Sequence, residues 1–169
     1  MKLQTPALRL TPGPSAPFGE VVAAGIGPGR SGNQGRARVW DRLSPLVNER
    51  PGAAPNLGVF RTGPWPEDSV DVRVLERHPR STQVFVPMTA SRYLVIVAPP
   101  TAEPDLAGLR AFLVGPDQGV TYRPGVWHHP LIALDRAADF VCLVWEDGGP
   151  EDCDLRVVDG GIVTWSKDR

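Results

Sequence analysis

The 169-residue sequence contains little cysteine and no long hydrophobic run. Its two cysteines, Cys142 and Cys153, are too few for a disulfide framework and lack metal-ligand spacing. No apolar segment approaches the ~20 residues that a membrane span requires. The opening MKLQTPALRL also lacks the charged and apolar regions of a secretory signal. These absences predict a cytoplasmic protein that does not enter membranes.

An excess of charge of either sign is also lacking. The 18 Lys and Arg residues oppose 19 Asp and Glu residues, which gives a formal net charge of −1. Binding to nucleic-acid phosphates needs a concentrated positive face. We therefore expect no nucleic-acid partner.

Glycine and proline are abundant, with 18 and 19 residues respectively. They punctuate short segments of alternating or continuous apolar character, a pattern typical of strands joined by tight turns. We predict a single all-β domain over residues 1–169, a sandwich or barrel, in which residues 12–35 are rich in loops. One short helical turn is expected at 105–109, capped by Asp105. The predicted strands are 57–61, 70–74, 83–88, 93–98, 109–114, 120–122, 131–134, 140–145 and 162–165.

One candidate site follows the predicted strand at 70–74. The alternation of its valines continues to Glu76 and His78, so these two side chains point into a barrel if the valines do. Gln83 begins the next strand. The alternative interpretation is that Glu76 and His78 are a surface pair or a hydrogen-bonded pair without a catalytic role.

The remaining histidines, His128 and His129, follow the turn at Pro124-Gly125. A carboxylate, two imidazoles and an amide oxygen brought together would suit a divalent transition metal. A paired-histidine turn is also compatible with an exposed, structural role. The spacing alone leaves both interpretations open.

These motifs resemble those of a known family. The pattern Glu76-x-His78-x4-Gln83 resembles the first cupin motif, and Gly119-x5-Gly125-x2-His128 resembles the second. Further blocks resemble ureidoglycolate lyases along nearly the whole chain: Asn33–Gly35, Glu76–Pro79, Ser81–Pro87, Leu109–Phe112, Gln118–Tyr122 and Gly125–Leu131.

This resemblance implies a cupin-type jelly-roll barrel with few short helices, usually a homodimer, that acts on a small molecule. Enzymes of the family split (S)-ureidoglycolate into glyoxylate and urea during allantoin and purine-nitrogen breakdown. They are associated with a divalent metal, usually named as nickel. The alternative is a diverged cupin that binds a small carboxylate without turnover.

The resemblance also suggests roles for individual residues. His78, Gln83 and His128 are expected to be metal ligands, with Glu76 as either a fourth ligand or the general base. Elimination also needs an acid to protonate the departing nitrogen, and Tyr122 is the candidate.

Two more residues are candidates for contact with the substrate. Arg61 would bind the substrate carboxylate through two hydrogen bonds, and Trp127 would form a wall of the pocket. The competing interpretations are a core tyrosine with a satisfied hydroxyl for Tyr122, an exposed charge for Arg61 and core packing for Trp127.

Overall fold

The computed structural model describes residues 2–166, and these residues are almost entirely strands and turns. Met1 and residues 167–169 of the predicted domain lie outside the described residues. None of the described helices is long and apolar enough to cross a membrane. The strands are β1 (Gln4–Pro6), β2 (Leu8–Arg9), β3 (Val21–Val22), β4 (Arg30–Gly32), β5 (Ala37–Val39), β6 (Ala54–Thr62), β7 (Ser69–Asp71), β8 (Val74–Arg77), β9 (Gln83–Pro87), β10 (Tyr93–Ala98), β11 (Arg110–Val114), β12 (Gly119–Tyr122), β13 (Trp127–His128), β14 (Ile132–Ala133), β15 (Ala138–Glu146), β16 (Asp154–Val157) and β17 (Ile162–Thr164).

Within residues 2–166, the helical content is limited to three short pieces. The helix α1 spans Pro12–Ser15, and single 3-10 turns span Asn33–Gly35 and Leu106–Gly108. The Asp105 carboxylate accepts the backbone N–H of Ala107, so the predicted capped turn is confirmed. The all-β prediction is confirmed as well.

Two large sheets make up the body of the fold. One has the order β3-β12-β9-β15-β6, and the other has the order β16-β8-β13-β10-β11-β2, with β14 also paired to β10. From β8 to β16 the chain passes back and forth between the two sheets, so that neighbours within a sheet come from distant parts of the sequence. This is the connectivity of a cupin-type jelly-roll barrel.

Both faces of the larger sheet are buried, and alternate residues of its strand β10 pack in two different cores. Tyr93, Val95 and Val97 pack in the first core, between the two large sheets. Leu94 and Ile96 point the other way and pack in a second core. The small sheet β1-β17-β7 contributes to this second core. Because both faces of β10 are covered, the strand is continuously apolar, as expected for a central strand.

The predicted strand at 70–74 is in fact two strands that belong to different sheets. β7 pairs with β17, whereas β8 pairs with β13 and β16. The strand is interrupted at Val72. The N–H of Val72 donates to the carbonyl of Gly161, and its carbonyl accepts the N–H of Gly160. A Cβ on Gly160 would lie 2.4 Å from that carbonyl oxygen, so only glycine fits there. Because the strand is interrupted, Val70 and Val72 lie in the second core, outside the barrel.

The loop-rich segment 12–35 is attached to the barrel at its middle. β3 pairs with β12 at the edge of the five-stranded sheet. Phe18 and Val21 are buried in the first core. The segment therefore contributes to the barrel wall near Tyr122, although most of it is loop.

Candidate functional site

Inside the barrel, neighbouring strands bring the predicted polar side chains together. Glu76 on β8 lies directly opposite His128 on β13, and its Oε1 atom is 3.6 Å from His128 Nε2. The rings of His78 and His128 lie 5.8 Å apart, centroid to centroid. The ring of Tyr122 stacks on His128 at 4.2 Å, and Gln83 is the cross-strand neighbour of Tyr122. These five side chains are called the interior cluster below.

Backbone carbonyls orient the rings of both histidines of the interior cluster. His78 Nδ1 lies 2.7 Å from the carbonyl oxygen of Asp152, and His128 Nδ1 lies 2.9 Å from that of Val126. A carbonyl only accepts hydrogen bonds, so each Nδ1 carries a hydrogen. In His78, whose pKa is lowered by burial, Nε2 keeps its lone pair. Among the described residues, neither buried Nε2 atom has a hydrogen-bond partner. Metal-binding histidines are held in this way, with one nitrogen fixed by a backbone carbonyl.

Gln83 adds a third buried acceptor atom. Its Nε2 donates to the sulfur of Cys142 at 3.7 Å. Its Oε1 is buried and has no hydrogen-bond partner in the described part of the chain. An unsatisfied buried acceptor is costly in a stable fold. Together with the two imidazole Nε2 atoms, it indicates a place built for a ligand.

The protonation states follow from burial and mutual charge. Burial acts to raise the pKa of Glu76, but its interactions with His128 and His78 outweigh this and hold the pKa below its ordinary value. Burial, with the neighbouring His128, lowers the pKa of His78. Burial, with the charge of Glu76, raises the pKa of Tyr122. At neutral pH the cluster therefore combines a carboxylate, a neutral imidazole at His78 and a phenol that keeps its proton.

Arg61 and Trp127 are not brought to the interior cluster. The Arg61 side chain is 78% exposed on β6, where its Nε and Nη2 donate to the two carboxylate oxygens of Asp139 at 2.7 and 2.8 Å. Trp127 is fully buried in the second core. Successive residues of a strand point to opposite faces, so the neighbour of His128 necessarily points away from the barrel interior.

Two residues that contact the interior cluster, Asp152 and Cys142, are not predicted from the sequence. The carbonyl of Asp152 orients His78 from 74 positions away, and a backbone carbonyl gives no signal in a sequence motif. Cys142 accepts the hydrogen bond that orients the amide of Gln83. The sequence suggests for it only a disulfide or a metal-ligand role, and excludes both. Cys142 lies between the buried Phe140 and Val144 and is itself buried, but residues 140–145 are all apolar, so the sequence has no alternation that marks it as inward-facing.

The cluster fits a divalent metal in the kind of atoms that it offers. Two imidazole nitrogens, a carboxylate and an amide oxygen are ligands that transition metals accept. Within residues 2–166, however, no three His, Cys, Asp or Glu side chains are grouped closely enough to hold an ion. Binding would therefore use the amide of Gln83 in addition to the imidazole and carboxylate groups.

An all-β jelly roll with imidazole, carboxylate and amide side chains inside it defines the chain as a cupin-type protein. The ureidoglycolate lyase family model matches residues 3–164. A ureidoglycolate lyase from Burkholderia cepacia is 41% identical over 156 residues, which cover 89% of this chain and 85% of the relative. One from Pseudomonas syringae is 33% identical over 145 residues, covering 86% and 84%. The chain belongs to the ureidoglycolate lyase family and is an enzyme.

A solved structure is also similar in part. RmlC from Streptococcus suis matches with a TM-score of 0.36 and 10% identity, covering 59% of this chain and 46% of that chain.

Proposed function

We propose that the protein cleaves (S)-ureidoglycolate to glyoxylate and urea inside the barrel. Its relatives bear the name of this activity over most of the chain. The observation that carries the proposal is the convergence of two imidazole Nε2 atoms, which have no hydrogen-bond partner within residues 2–166, with the Glu76 carboxylate and the Tyr122 ring. This arrangement supplies a base, hydrogen-bond acceptors and a proton donor around one small volume.

The reaction requires one proton to leave oxygen and one to reach nitrogen. A base removes the proton of the substrate hydroxyl, the C–O bond becomes a carbonyl, and the C–N bond breaks with its electron pair on nitrogen. Proton transfer by a positioned side chain contributes typically ~100- to 10,000-fold to such a step. We assign the hydroxyl proton to Glu76, whose lowered pKa keeps it ionised. We assign the donor toward the leaving nitrogen to Tyr122, which keeps its proton at neutral pH.

We propose a divalent metal, nickel, as the cofactor, with His78, Gln83 and His128 as ligands and Glu76 next to it. The support is that each of the first three residues has a buried side-chain nitrogen or oxygen with no hydrogen-bond partner among the described residues. When bound, such an ion would lower the pKa of the substrate hydroxyl and align it with the carboxylate. Whether Glu76 is base or fourth ligand is decided by its glutamine variant, as described below.

The proposal gives no substrate contact to Arg61 or Trp127. Arg61 already binds Asp139 on the outside of β6, and Trp127 is enclosed in the second core.

We further propose a homodimer, formed through the outer face of the five-stranded sheet. Phe60 packs inward on Phe85, so the odd-numbered residues of β6 point outward. Leu57 and Val59 are 72% and 62% exposed there. The registers place these two in continuous outward rows with apolar residues of the neighbouring strands: Leu57, Leu143 and Val84 in one row, and Val59, Val141 and Val86 in the next. A continuous exposed apolar patch of this kind marks an interaction site.

The dimer is tested by light scattering after gel filtration. The wild type is expected to have twice the chain mass, and Val59→Lys should convert it to a monomer. Val157→Lys is the matched control, because Val157 is 85% exposed on β16, in the other sheet. A monomeric wild type would refute the dimer.

The cellular location and the metabolic pathway of the enzyme are also proposals. We place the enzyme in the cytoplasm, in the breakdown of allantoin and purine nitrogen, as the family resemblance implies. Its cysteines are both unpaired, which agrees with a reducing compartment.

The activity is tested by incubating the purified protein with ureidoglycolate, with and without nickel or manganese, and following glyoxylate and urea. We expect one urea for each glyoxylate, and no ammonia. A protein-free control measures spontaneous decay. Release equal to that control would favour a cupin that binds a small carboxylate without turnover.

A further inference from the structure

His78 is oriented by a loop that no sheet pairing holds in place. The carbonyl of Asp152 accepts the Nδ1–H of His78 at 2.7 Å. Asp152 lies between the end of β15 at Glu146 and the start of β16 at Asp154. The loop contains Gly148 with a left-handed backbone, φ +81°, and the adjacent Gly149. Something other than the sheet must therefore fix the position of this carbonyl.

The carboxylate of Asp152 holds the loop from within. Its Oδ1 accepts the N–H of Asp147 at 3.0 Å, and its Oδ2 accepts the N–H of Gly148 at 2.7 Å. The Nη2 of Arg50 donates to the same carboxylate at 2.5 Å. The direction of the Asp152 carbonyl is thus tied to the position of the Arg50 guanidinium.

Arg50 binds three groups at once: two carboxylates of the loop and one backbone carbonyl of β15, the strand that leads into the loop. Nη2 also donates to the carbonyl of Trp145 at 3.1 Å, and Nη1 lies 3.1 Å from the Asp147 carboxylate. The Arg50 side chain is only 9% exposed. A planar guanidinium offers donors in fixed directions, whereas a lysine ammonium is a compact charge that cannot reach all three groups.

Arg50 is itself anchored beside Gln83. The N–H of Arg50 bonds the side chain of Asn48 at 3.0 Å. The N–H of the preceding Glu49 bonds the carbonyl of Arg80 at 2.9 Å, three residues before Gln83. Arg50 therefore connects the chain segment that leads into Gln83 with the loop that orients His78.

We propose that Arg50 and Asp152 are positioning residues that hold His78 in the Nδ1–H tautomer, with Nε2 facing the interior cluster. The inference rests on the proposed function in one respect, the binding of an ion by that Nε2 atom. Residues that orient a metal-binding histidine are typically worth ~10- to 100-fold in metal affinity.

The test compares Arg50→Lys with Arg92→Lys. The control Arg92 also binds a carboxylate, that of Asp135, through two hydrogen bonds of 3.0 and 2.6 Å. It lies next to Tyr93, at the opposite end of β10 from the residue that pairs with His128. Nitrogen-15 NMR of the metal-free protein reports the tautomer of His78, and titration with Co²⁺ reports metal affinity.

In the wild type and in Arg92→Lys, His78 is expected as the Nδ1–H tautomer. In folded Arg50→Lys, both tautomers should be populated, and the Kd for Co²⁺ should rise ~10- to 100-fold. Asp152→Asn provides a second variant that keeps the size of the side chain, and we expect the same direction of change.

A folded Arg50→Lys or Asp152→Asn that keeps the wild-type tautomer of His78 would overturn the inference. The tautomer is measured without metal or substrate. A wild type that releases no urea would therefore refute the proposed function and leave this test intact.

Discussion

Trp127→Phe tests whether Trp127 belongs to the second core or to a substrate pocket. The indole is fully buried, its Nε1–H donates to the carbonyl of Thr101 at 2.9 Å, and the Arg77 guanidinium lies 4.4 Å from the ring centroid. Phenylalanine removes the hydrogen bond, worth about 1 kcal/mol, weakens the cation–π contact by about 1 kcal/mol and leaves a cavity that costs about 1 kcal/mol. The free energy of unfolding should fall by about 3 kcal/mol in total.

In a chain of 169 residues, this loss corresponds to a fall in Tm of about 6–12 °C. Circular dichroism during heating measures it, and steady-state kinetics at 20–25 °C measure the site. We expect kcat and KM within about twofold of the wild type. Trp65→Phe is the matched control, since its indole N–H also bonds one carbonyl, that of Ser69 at 2.9 Å, but the side chain is only half-buried. An unchanged Tm with KM raised tenfold or more would refute the core assignment.

The interior cluster and the outer face give three further predictions. His128→Ala should lower turnover at least ~100-fold, and normal activity in the folded variant would remove His128 from the site. Glu76→Gln should lower kcat by ~100-fold or more. If the variant binds Co²⁺ as tightly as the wild type, Glu76 is the base, and if it binds Co²⁺ more weakly, Glu76 is a ligand. Full activity in the variant would contradict both roles. Hydrogen bonding and charge from Arg61 hold the pKa of Asp139 below its ordinary value. The stability from this pair is therefore fully present above the unfolded pKa of about 3.9 and is lost as the pH falls through the lower folded pKa. Asp139→Asn should flatten the fall of Tm below pH 4 and leave activity unchanged, and an unaltered acid profile would contradict the pairing.

The sequence was sufficient for the all-β class and for most of the central strands. The predicted strands at 93–98, which is continuously apolar, and at 140–145 appear in the structure as β10 and β15. Gly and Pro marked the turns between them because these residues permit or enforce turn geometry. These features depend on neighbouring residues alone, so a single sequence contains them.

The interior cluster was predictable from its motifs, but its neighbours were not. Glu76 and His128 were identified as candidates, and the structure places them opposite each other. The carbonyl of Asp152 and the guanidinium of Arg50 were not identified. They act through contacts across 74 and 102 positions of the chain, which no local pattern encodes.

Only the tertiary structure decided which face of each strand lies inside the barrel. Alternation shows that Trp127 and His128 point in opposite directions, and that Val70 and Val72 point in the same direction. In a sheet covered on both sides, either direction leads to a buried core. Burial therefore could not distinguish the barrel interior from the second core. The packing of the small sheet against the large one made that distinction.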